Sequence, residues 1–127
     1  MTDLDLARRA VACKHWRWTL GMQLEDGRRV VGWTEDGREL LYCKNGMVGC
    51  FGLLSESECT PDLTDPATVG CLLALVREAW GDPTMHAAYR RSPDMDGKHW
   101  YMRRPDVSFH RHHTEAAALV AALEVAP

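Results

Sequence analysis

The chain has 127 residues, 46% of them hydrophobic and 26% charged, with a net charge of −3. Those proportions describe one ordinary globular domain, long enough to bury a core without a metal or disulfide staple. So small a net charge excludes a nucleic-acid or membrane role that rests on overall charge alone.

The opening Met1-Thr-Asp-Leu-Asp-Leu has no apolar h-region and does not read as a signal peptide. The longest apolar run, Cys71 to Val76, is far too short to span a bilayer. Five cysteines without a secretory leader read as reduced thiols. A cytoplasmic protein with no membrane partner is the expectation.

Thr2 and Asp5 form a weakened capping box ahead of a short amphipathic helix over residues 3–14. His15-Trp16-Arg17-Trp18 then alternates, placing both tryptophans on one side of an extended segment. Asp26-Gly27, Asp36-Gly37 and Asn45-Gly46 follow at even intervals between short apolar runs. Such pairs accept positive φ cheaply, as two-residue hairpin turns require. They predict a meander of four strands, about 19–25, 28–34, 38–43 and 47–54, the last interrupted by Gly49 and Gly52. Glycine inside a strand signals a bulge or a close backbone approach.

Residues 55–63 read as a loop. Thr64, Asp65 and Pro66 are start signals for a helix over 66–80, with Val69, Leu72, Leu73, Val76 and Trp80 as its apolar stripe. Gly81-Asp82-Pro83 stops it. Two strands, about 85–91 and 98–104, surround Asp96-Gly97 as a further hairpin, and a short third is expected over 107–110. Thr114 caps a final helix over 115–125. The order is α–β4–α–β2 or β3–α. A meander and a C-terminal hairpin packed with about three helices make an antiparallel α+β fold. One domain covers 1–127, and each helix is expected to lay its stripe on a sheet face.

Charge is unevenly spread. Residues 21–80 carry five basic and ten acidic side chains, a local −5. Residues 86–113 carry six basic and three acidic ones, a local +3, together with five of the six histidines. Arginine beside tryptophan can hold phosphates and stack bases. The candidate ligand-binding set is therefore Trp100, Arg91, Arg103, Arg104, His110 and His112. Adjacent arginines on a strand face opposite sides, so each Arg-Arg pair offers only one to a given face.

His110 and His112 would share a strand face at a spacing that can chelate a metal, but no third or fourth ligand is identifiable. A polar strand end is the simpler reading, and no metal or other cofactor is assigned. No cysteine has a visible base and oxyanion hole, so no catalytic residue is assigned either. There is no phosphate loop and no Gly-x-Ser-x-Gly elbow. The residues point away from catalysis.

Asp5-Leu-Ala-Arg-Arg-Ala-Val-Ala-Cys-Lys-His-Trp-Arg-Trp18, Pro61-Asp-Leu-Thr-Asp-Pro-Ala-Thr-Val-Gly-Cys-Leu-Leu-Ala-Leu-Val-Arg-Glu-Ala-Trp-Gly81 and Thr114-Glu-Ala-Ala-Ala-Leu-Val-Ala-Ala-Leu123 resemble segments of small phage and prophage proteins. The nearest family is the phage ABA sandwich domain, and the likeness covers roughly half of the chain. It implies an α/β/α layered fold and a phage-encoded protein working in the host cytoplasm. It carries no catalytic motif. The function expected is non-enzymatic: an accessory protein that binds a host or phage macromolecule such as a host protein, blocking of a defence system being one such role. The alternative is nucleotide or nucleic-acid binding through residues 86–113. An unpaired meander edge is also compatible with a homodimer.

Overall fold

A computed structural model of the chain describes residues 2–36, 39–44, 51–55, 59–91, 98–104 and 111–127. Three helices and two small antiparallel sheets make an α+β fold, in the order α1 (Asp3–Ala12), β1 (Arg28–Trp33), β2 (Glu39–Lys44), β3 (Phe51–Ser55), α2 (Pro66–Trp80), β4 (His86–Arg91), β5 (Lys98–Arg103) and α3 (Glu115–Glu124). No helix among the described residues is long and apolar enough to cross a membrane.

The capping box of α1 is complete. Thr2 Oγ1 accepts from the Asp5 amide at 3.1 Å, and the Asp5 carboxylate accepts from the Thr2 amide at 3.2 Å. The Thr2 hydroxyl, more than any other group, holds the Asp5 carboxyl below its ordinary value. Leu6, Ala7 and Ala10 form the buried side of α1. After it, Trp16 and Trp18 meet edge to face at 5.4 Å, on one side of the extended segment as expected.

The meander is a three-stranded sheet in the order β1-β2-β3. Its expected first strand is cut short. Gly21 takes a φ of 93°, and the segment that follows pairs with β1 only through Met22, the Gln23–Arg29 bridge and Leu24. Gly27, at φ 92°, closes that first turn in the way its Asp-Gly pair requires. Among the described residues β1 and β2 pair from Arg28–Lys44 to Trp33–Leu40, with the Thr34 amide donating to the Glu39 carbonyl beyond, and β2 and β3 pair from Glu39–Ser55 to Cys43–Phe51. Gly37, Asn45 and Gly46 lie outside the described residues. Gly52 is a close-approach glycine, because a Cβ there would collide with the Tyr42 ring. The register shift in β1 lies between Val30 and Gly32.

Helix α2 has the predicted bounds. Asp65 accepts from the Thr68 amide at 2.9 Å, Pro66 opens the first turn, and Gly81 ends the helix at φ 63°. Its buried stripe is Thr68, Leu72, Leu75 and Val76, rotated from the expected one so that Val69, Leu73 and Trp80 are only partly buried. The reason is polar. Thr68 Oγ1 accepts the Gln23 amide at 2.8 Å and donates to Asp65 at 2.9 Å. Asp65 in turn takes two 3.3 Å bonds from the Arg29 guanidinium. This network fixes the N-terminus of α2 to the first turn of the meander.

The helices do not simply lie on sheet faces, as the stripes suggested. α3 packs against both α1 and α2 as well as against β4 and β5. Ala116, Ala118, Leu119, Val120, Ala122 and Leu123 are all buried, so α3 is apolar nearly all round, as a central helix must be. Each fully buried Leu or Val here contributes roughly 1.5–3 kcal/mol. The Trp80 indole donates to the Ala122 carbonyl at 3.0 Å, and Arg9 pairs with Glu124. Those two contacts tie α2 and α1 to the same helix.

Candidate nucleic-acid interface

Hairpin β4–β5 starts directly after α2. Asp82 accepts from the Thr84 amide at 2.9 Å in a tight turn, and Met85 is fully buried. Arg77 Nε donates to the Met85 carbonyl at 2.8 Å, anchoring the strand entry. From there the side chains alternate. The cross-strand pairs Ala87–Met102 and Tyr89–Trp100 share the inner face, where Met102 is buried and Ala87 and Trp100 pack against the core.

The outer face is built by the remaining pairs: His86–Arg103, Ala88–Tyr101 and Arg90–His99. It contains no carboxylate among the described residues. Arg90 and Arg103 are exposed, at opposite ends, with Tyr101 half-buried between them. Four residues of strand separate the two cationic pairs, or about 13 Å at roughly 3.3 Å per residue. The His86 Nδ1–H donates to the Thr84 carbonyl at 3.1 Å, which leaves Nε2 of that ring as the acceptor. His99 is only 5% exposed, and its Nε2 has no hydrogen-bond partner. The ring of His113 lies 6.2 Å from it, because Trp100 and His112 exchange both backbone hydrogen bonds and bring the chain at 112–113 alongside β5.

Several arginines elsewhere are occupied, whereas Arg8, exposed on α1, makes no hydrogen bond or ion pair among the described residues. Arg9, Arg17, Arg28 and Arg29 pair with Glu124, Glu78, Asp26 and Asp65. Arg77 serves a carbonyl. Arg90 and Arg103 make no such bond, although each is exposed on a face without acids. Nothing neutralises the outer face of the hairpin among the described residues.

The residues singled out from sequence fall in different places. Arg103 is on the outer face. Arg104 is engaged by Asp82 at 3.6 Å and lies over the Trp80 ring at 4.9 Å. Trp100 is on the inner face, its ring 5.1 Å from that of Tyr89. His112 joins Trp100 through the backbone bridge. Arg91 ends β4 opposite Lys98, and its side chain, like His110 and the strand expected at 107–110, lies outside the described residues. The structure thus joins Trp100 to His112 and separates Trp100 from Arg103. Sequence reasoning missed His86, Arg90, His99 and Tyr101. Parity was the available signal: if Met102 points inward, Tyr101 and Arg103 must point outward.

A second exposed surface lies on the meander. Val31, at the register shift, and Leu53 are 40% and 51% exposed, with Leu41 between Gly32 and Leu53 in register. Trp33, 50% exposed, instead pairs with buried Leu40 in the adjacent row of opposite parity. Among the cysteines, Cys13 donates to the Arg9 carbonyl at 3.3 Å, and burial pushes its thiol up. That is the reverse of an activated nucleophile. No group of three or more metal-ligating side chains occurs among the described residues. Comparison with family models, curated proteins and solved structures gave no match to this chain, so the likeness to the phage ABA sandwich domain rests on the quoted segments alone.

Proposed function

We propose that this is a phage-encoded, non-enzymatic accessory protein that binds a polyanionic macromolecule, nucleic acid above all, through the outer face of β4–β5. One observation carries the reading: among the described residues, Arg90 and Arg103 stand without carboxylate partners at the two ends of a face that holds no acid. A guanidinium left unpaired on a face with no carboxylate among its described residues is available for phosphate. Overall charge does not oppose this, because the acidic residues concentrate in 21–80, away in sequence from the hairpin. Blocking of a host defence system is one use of such binding that the phage likeness suggests.

The test is titration with heparin and with a mixed-sequence nucleic acid in low salt. The doubly substituted R90Q/R103Q protein should bind both at least tenfold more weakly than the wild type. Equal affinity of the two proteins would overturn the reading.

The exposed Val31 and Leu53 favour a second reading, a protein partner on the meander. Leu53→Lys should then abolish capture of that partner, while R90Q/R103Q should not.

A further inference from the structure

Tyr101 sits at the centre of the cationic face, and it is unused by the fold. Its ring stacks on no neighbour and its hydroxyl has no hydrogen bond, unlike the inner-face Trp100, which packs on Tyr89 and the core. Directly across from it in register is Ala88, too small to cover the ring. A half-buried ring with a free face at this density of positive charge is an unusual companion, since an aromatic face gains little from water and nothing from a phosphate. It gains from a flat partner.

We infer that the polyanion is a single-stranded nucleic acid, with Tyr101 as the stacking platform for a base and the exposed Arg90 and Arg103 holding phosphates on either side. The inference rests on the proposed polyanion-binding reading and narrows it. A duplex keeps its bases stacked on one another inside the helix and presents only its backbone and groove edges to a flat ribbon of two strands. A single strand can splay a base outward, lay it on the ring, and run its backbone along the strand direction between the two cationic ends. The gap of about 13 Å between those ends leaves room for the sugar and base in between.

Fluorescence anisotropy against four probes separates the outcomes: short oligodeoxyuridylate, short oligouridylate, a duplex of the same length, and heparin. Single strands should bind more tightly than the duplex, and the tighter of the two identifies the sugar preferred. Base stacking contributes about 1–3 kcal/mol per base, so Tyr101→Ala should weaken single-strand binding by roughly 5- to 150-fold. Heparin has no bases, and its affinity should be unchanged by that substitution. Tyr101→Leu keeps apolar bulk without a π face and should lose as much, whereas Tyr101→Phe should retain affinity. If duplex and single strand bind alike and Tyr101→Ala, shown folded by unchanged heparin affinity, is neutral toward the single strand, the single-strand inference falls and the polyanion reading stands. If no probe binds, both fall.

Discussion

Replacing Thr68 with Val removes one oxygen from a fully buried position and preserves the shape of the side chain. That oxygen has two duties. It accepts the Gln23 amide at 2.8 Å and donates to the Asp65 carboxylate at 2.9 Å. The first loss leaves a backbone N–H without a partner, worth about 1–3 kcal/mol, and the second removes a hydrogen bond to a charged group, about 1.5–3 kcal/mol. Because the two bonds share one atom and the site relaxes in part, the expected total is about 2–4 kcal/mol. Thr68→Ser keeps the oxygen and loses one methyl, at about 1 kcal/mol. Urea unfolding followed by far-UV circular dichroism compares the two. Thr68→Val should be clearly the worse. Should it be no worse than Thr68→Ser, the polar lock between meander and α2 contributes nothing, and the rotated stripe of α2 has another cause.

Further expectations concern the same lock and the hairpin. Burial raises the Asp65 carboxyl, but bonds from Arg29 and Thr68 outweigh it and hold that group below its ordinary 3.8. Its stabilising contribution is therefore complete above that pH and disappears as pH falls through the lowered value of the folded state. Asp65→Asn should cost about 1 kcal/mol at neutral pH and flatten the acid limb of the stability–pH curve; an unchanged acid limb would contradict the sign. Trp100→Ala should destabilise the fold by about 2–4 kcal/mol through lost packing on the core and on Tyr89. Arg104→Gln should cost about 1 kcal/mol with its contacts to Asp82 and Trp80. Neither should change heparin affinity. A tenfold affinity loss in a folded Trp100→Ala or Arg104→Gln protein would return the binding role to the residues singled out by sequence.

Local signals were readable where chemistry at one or two positions decides the backbone. Asp65, Pro66 and Gly81 placed both ends of α2, and Thr2, Asp5 and Thr114 placed the starts of α1 and α3. Asp26-Gly27 located the first turn of the meander, whereas register depends on which side chains the core accepts. The first strand shortened because Gly21 turns the chain just before it, a conformation no apolar pattern reveals. Thr68 joined the buried stripe because of a partner 45 residues away in sequence. The basic region forms one hairpin, yet Trp100, its most conspicuous ring, lies on the inner face. Size favours burial, and the strand partner Tyr89 and neighbouring Met102 draw Trp100 inward. The smaller aromatic next to it was left on the surface.

The most direct test of the central claim is the salt dependence of single-strand binding by the wild-type and R90Q/R103Q proteins. Each phosphate contact on a single strand contributes a slope of about −0.7 in log affinity against log salt. Removal of two such contacts should make the slope shallower by about 1.4 and lower the affinity at low salt. The same slope and affinity for both proteins would contradict it.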